Sequence, residues 1–216
     1  MTDASAKDAR TAWFIGGGLL TACALFPLAT QGLFVPGIGF VSAALWAASL
    51  FVFALGVRGR GSVVARRPLG VTALLVAALL PVTGTVVWSI VPALPQGSWP
   101  IPIGDVMQIA LIAALVVATV QIARAGVVPA KVRWMPLIVL VAATAMQAIV
   151  VAVALNSSSV GPAALPLVYT AGVIAVAAAQ LVLGIAALVL APQLETVTPP
   201  APVQVYPPAP QESTGR

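Results

Sequence analysis

Asp105 is the only acidic residue between Asp8 and Glu195. A carboxylate kept in apolar surroundings can carry a proton or hold a cation if it is deeply buried or has a second ligand. Among the amides in the apolar part of the chain, Gln108, Gln147 and Gln180 stand out beside it, each bringing donors and an acceptor that hydrocarbon cannot satisfy. These four residues are the candidate polar positions. They do not form a catalytic set, because acid–base work needs a titratable partner that Asp105 lacks. Both lysines, Lys7 and Lys131, fall on the opposite side from Asp105, so no Ser–Lys dyad can assemble there. One cysteine and no histidine leave no Cys/His metal set, no disulfide framework and no usual haem ligation. The expectation is no catalytic, cofactor or metal site, and no enzyme.

Such residues must be positioned by membrane helices. Hydrophobic residues make up 61% of the chain and charged ones 7%, with a mean hydropathy of +1.09, against about a quarter charged in a soluble domain. A hydrocarbon core of about 30 Å takes roughly 20 apolar residues per helix. Six runs qualify, at about 12–34, 38–57, 69–91, 105–125, 134–155 and 167–190. They are long unbroken stretches of Ala, Val, Leu and Ile, unlike the short alternating segments of a barrel. The expected fold is an all-α polytopic bundle of six transmembrane helices over 12–191, with a cytoplasmic segment at 1–11. The tail at 192–216 is rich in proline and contains "PPAP" twice, so it reads as disordered and cytoplasmic.

Six spans put every basic residue on one side: Lys7 and Arg10; Arg58, Arg60, Arg66 and Arg67; Arg124, Lys131 and Arg133; and Arg216. The positive-inside rule makes that side cytoplasmic, with both termini inside. The net charge of +5 then calls for no nucleic acid. The partner implied is the bilayer, with anionic headgroups at Arg58, Arg60, Arg66 and Arg67 as an added contact, and a membrane-protein partner or second copy as a further one. Trp13 and Trp134 map near the inner boundary and Trp88, Trp99 and Tyr169 near the outer one, as an aromatic belt. "NSS" at 156–158 is read as a polar loop. Low lysine beside abundant alanine and arginine points to a GC-rich bacterium and its cytoplasmic membrane.

On this map Asp105 begins the fourth helix at the outer interface, where it caps the helix and Gln108 completes an Asp-x-x-Gln box. Gln147 and Gln180 lie roughly 15 Å from the inner boundary and can pair between helices 5 and 6 as structural glue, or coordinate a solute. Small residues at four-residue spacing mark the seams: Ala44 and Ala48; Ala110, Ala114 and Ala118; Ala171, Ala175 and Ala179. Pro27 and Pro81 bend spans 1 and 3. "LLTAC", residues 19–23, resembles a lipoprotein signal, but the apolar run continues past Cys23, so the cysteine reads as a small side chain within helix 1.

Pro36, Pro102 and Pro166, each ahead of an even-numbered helix, are followed eleven and twelve residues later by Ala47-Ala48, Ala113-Ala114 and Ala177-Ala178. That spacing reads as a helical hairpin repeated three times. Every polar residue can be assigned to capping, packing or topology, so the leading expectation is a non-catalytic accessory or scaffold component. The alternative is a small transporter or channel for a neutral or hydrophobic solute, built on Gln147, Gln180 and the proline bends; an intramembrane enzyme is a distant third.

Overall fold

A chain in hydrocarbon must satisfy its backbone polar groups internally, and each apolar run does so as a helix. The computed structural model describes residues 3–30, 37–57, 62–64, 67–90, 103–129, 132–155 and 165–195. Its helices are α1 (Asp3–Ala29), α2 (Ile38–Leu55), α3 (Pro68–Ile90), α4 (Ile103–Ala125), α5 (Met135–Leu155) and α6 (Leu165–Leu190), followed by a 3-10 turn at Ala191–Glu195. All six are long and apolar enough to cross a membrane. The protein is thus an all-α six-helix membrane bundle. Because α1 starts at Asp3 instead of 12 and ends at Ala29 instead of 34, Pro27 lies in its last turn and cannot bend the middle of the span.

The helices close into a ring. α1 packs on α2 and α6, α2 on α3, α3 on α4, and α5 on α6, while the α4–α5 seam is the sparsest. Residues buried between helices are mostly alanines, with Ala24, Ala54, Ala77 and Ala78 fully enclosed, and large side chains such as Ile109, Ile138 and Val141 point outward. This is the distribution expected where lipid is as apolar as leucine and helices associate by close approach. The closest crossing is α1 with α6: a Cβ on Gly17 would sit 2.9 Å from the Gly184 carbonyl oxygen, and one on Gly184 would sit 3.0 Å from that of Gly17. On α2 the buried alanines are Ala43, Ala47 and Ala54, the first two one residue off the expected register, while Ala44 is exposed. On α6, Ala171 is exposed, and Gly172, Ala177, Gly184 and Ala187 are buried instead. Ala118 is buried on α4 as expected.

Helix ends at the basic side are closed by chain folding back. Gly56 and Gly126, with φ of 71° and 68°, follow α2 and α4 in left-handed backbone that only glycine adopts readily. The last carbonyls of α2 then receive donors from the following loop: Val63 N–H to Phe53 O at 3.0 Å, and Ser62 Oγ to Ala54 O at 2.7 Å. Val63 packs with Trp13, Val128, Ala187 and Ala191, so the start of α1, the end of α6 and both of these connections share one end of the bundle. The exposed Lys7, Arg67, Arg124 and Arg133 lie at this end. Arg58, Arg60, Arg66, Lys131 and Arg216 lie outside the described residues, as do Pro36, Pro102 and all of the tail after 195.

Trp13 is not an interfacial anchor. Only 4% exposed, it points into the bundle, edge-on to Phe53 with ring centroids 6.3 Å apart. An aromatic that holds a helix at the headgroups must reach them, and Trp13 does not. Trp134 does face outward, with the Arg133 guanidinium 5.8 Å from its ring centre. The side chains of Trp88, Trp99 and Tyr169 lie outside the described residues.

Candidate functional site

Within the ring lies a half-open chamber of about 460 Å³ to which all six helices contribute. Its size is that of pockets that hold drug-sized molecules, about 300–1,000 Å³. α5 brings Gln147 and Thr144, α6 brings Gln180, and α4 brings Gln108 and Thr119. α3 adds Thr85 and α2 adds Ser42 and Trp46. Three of the four candidate positions therefore converge on one space. Gln147 stands twelve residues into α5 and Gln180 ten before the end of α6, which at 1.5 Å per residue puts both about 15–18 Å from the basic end, near the middle of the membrane.

Asp105 is placed apart from them. α4 begins at Ile103, so Asp105 lies in the first helical turn rather than at the cap, and it is exposed. The carboxylate still meets the positive end of the helix. Gln108, expected to reach back to it, lines the chamber wall instead.

The chamber wall is mostly apolar, with a few polar side chains set into it. Among the described residues, no Asp, Glu, Lys or Arg lines it. Thr85, Thr119 and Thr144 donate to carbonyls of their own helices, Pro81 O at 2.9 Å, Val116 O at 2.9 Å and Leu140 O at 2.8 Å, which leaves their oxygens able to accept. The amides of Gln147 and Gln180 make no hydrogen bond to each other or to other described residues. Both are half-buried, and Gln147 Oε1 rests against Gly172, 3.2 Å from where a Cβ there would sit. Their donors and acceptors are therefore available to a guest. A bare ion would find no countercharge here, and the cost of desolvating it would fall on dipoles alone.

Trp46 divides this space from a second one. Pro81 has no N–H, so the carbonyl four residues back, Ala77 O, has no donor within α3. Trp46 Nε1 supplies it from α2 at 2.9 Å, pinning the indole beside the proline. Below Trp46, toward the basic end, lies a pocket of about 140 Å³ with almost wholly apolar walls, sharing Trp46, Leu115, Thr119, Pro136 and Leu183 with the chamber. Val63, Val128 and Val132 from the basic-side connections line it too.

Sequence reasoning missed Trp46, and a signal existed: a tryptophan placed well inside an apolar span, away from either interface, has an N–H that must find an acceptor. Cys23, which also lines the chamber, lies within an unbroken α1 with its thiol 3.6 Å from Ser42 O. Compared with protein-family models, with curated proteins and with solved structures, the chain matches none.

Proposed function

We propose that this protein binds a small uncharged solute in its central chamber and passes it through or into the bilayer, without breaking a bond in it. The observation that carries the reading is the convergence of Gln108, Gln147 and Gln180 on one uncharged space. Amides whose hydrogen bonds are not used by the fold are suited to a guest's hydroxyl or carbonyl groups, and the apolar remainder of the wall suits its carbon skeleton. Among the described residues, Cys23 has no acid or base beside it in the chamber wall, which supports a non-catalytic reading. The basic end belongs in the cytoplasm by the positive-inside rule, and composition favours a bacterial inner membrane.

A second reading, an accessory component of a larger assembly, draws support from α5. None of its described residues is buried, and its seam with α4 is sparse, which leaves room for a partner helix. The two readings separate on purification from native membranes in mild detergent. The solute reading expects native mass spectrometry to find a neutral small molecule on the wild-type protein, lost when Ala179 on the chamber wall is replaced by Trp. A stoichiometric protein partner, with the same small-molecule content in both forms, would favour the accessory reading and sink the first.

A further inference from the structure

The chamber wall is not equally tight all the way round. Between α1 and α2 the Cys23 thiol is 3.6 Å from Ser42 O, and between α2 and α3 Trp46 Nε1 donates to Ala77 O at 2.9 Å. A Cβ placed on Gly84 of α3 would meet Met107 Cε of α4 at 3.4 Å, and one on Gly172 of α6 would meet Val150 of α5 at 3.4 Å. The crossing of Gly17 with Gly184 closes α1 on α6. That leaves α4–α5, the sparsest seam in the ring. Yet both of its helices face the chamber, α4 with Leu111, Leu115 and Thr119 and α5 with Val139, Ala143 and Gln147. Two helices that line one space and scarcely touch each other leave its side open. The burial of α5 agrees: none of its described residues is buried, those turned to the chamber included.

We propose that the chamber is entered sideways from the bilayer between α4 and α5, and that its ligand is a lipid-dissolved amphiphile, a mainly hydrocarbon molecule carrying an uncharged hydroxyl or carbonyl group. The inference rests on the solute reading above and names its substrate class. Hydrocarbon lies outside a side opening at this depth, and apolar walls left unfilled forgo the dispersion contacts of a packed interior, so chains are drawn in. The amides then select among them. Gln108 is exposed, lines the chamber and lies five residues into α4, about 8 Å below the outer end of that helix. A hydroxyl leaving the headgroup region meets this amide first, then Gln147 and Gln180 at mid-depth, and so is not stranded without a partner. The volume of about 460 Å³ is about three times the roughly 150 Å³ that holds one benzene ring. It takes the polar group and a length of chain, while the rest of a longer molecule stays in the seam.

Nanodiscs of phosphatidylcholine with dibrominated acyl chains, which quench an indole on contact, test this on the full-length protein. Three single-tryptophan proteins are compared, the other tryptophans being replaced by Phe: one keeps Trp46 on the chamber wall, one keeps the buried Trp13, and one carries Met146→Trp on the outward face of α5. Trp46 is expected to lose at least about half as much fluorescence as the outward indole, and Trp13 little. Ala143→Phe, which fills the chamber, should bring the quenching of Trp46 down toward that of Trp13. Oleyl alcohol added to the discs should restore Trp46 fluorescence saturably, at a mole fraction about fivefold lower than 9-octadecene, the same chain without the hydroxyl, as one net hydrogen bond provides. Gln147→Leu with Gln180→Leu should erase that difference. The proposal is overturned if Trp46 is quenched no more than Trp13, or if the two competitors act alike. A protected Trp46 beside a neutral molecule that Ala179→Trp still displaces overturns the side entry alone, whereas the absence of any such molecule overturns the chamber reading beneath it.

Discussion

Replacing Gly184 with valine is expected to cost about 3 kcal/mol of bundle stability, the upper range for overpacking a close-packed contact. Gly184 lies where α6 crosses α1. Its Cβ would stand 2.5 Å from Thr21 Oγ1 and 3.0 Å from both Thr21 N and Gly17 O. Two of those three atoms are backbone, so rotation of a side chain cannot relieve the clash, and α1 must move away from α6. This seam is the most extensive in the ring, so a separation there opens the whole bundle. Unfolding in mixed micelles, followed by helicity, checks the magnitude. Gly18, whose Cβ would meet nothing within 4 Å, is the control, and alanine there should be tolerated.

The second large effect concerns function rather than fold. Substituting leucine for both Gln147 and Gln180 should reduce retention of a chamber-bound solute on the order of tenfold to a hundredfold, from two lost hydrogen bonds. Stability should hold or rise slightly, since the amides bond to no described residue and leucine is at home beside lipid. Structural glue predicts the reverse pattern: a bundle weakened by about 0.6 to 2 kcal/mol with solute content unchanged. Measuring thermal unfolding and co-purifying small molecules on the same preparation separates them.

Six helices were legible because a membrane demands length and apolarity, and both are counted directly from the residues. The faces of those helices were not. An amphipathic helix announces its buried side through contrast, but α2 has almost none: Ala43, Ala44, Ala47 and Ala48 look equivalent in the chain, and only packing selects the first and third. For the same reason a position near a span end suggests the interface for Trp13, whereas its direction around α1 sends it inward to Phe53. The glutamines were found because polar groups are rare in an apolar run. Their convergence with Gln108 was not, since three helices had to be placed before the amides could be seen to share a wall. Asp105 illustrates a smaller limit: α4 starts at Ile103, two residues ahead of the expected cap, so the capping box dissolves and Gln108 is released to the chamber.

The three-hairpin reading of the sequence would make the seams between hairpins alike. They differ: α1–α6 is closed by facing glycines, α2–α3 is well packed, and α4–α5 is sparse. Any repeat in the sequence has therefore diverged in its contacts, and the asymmetry leaves α5 the least enclosed helix.

The central claim, that a chamber with amide groups in its wall lies at mid-membrane depth within the ring, is tested most directly by a single thiol at position 180. In a Cys23→Ala background, Gln180→Cys should react with a small polar methanethiosulfonate reagent within about tenfold of the rate at Gly104→Cys, a position exposed at the start of α4. Full protection of residue 180, while Gly104→Cys labels normally and the protein remains folded, would contradict the account.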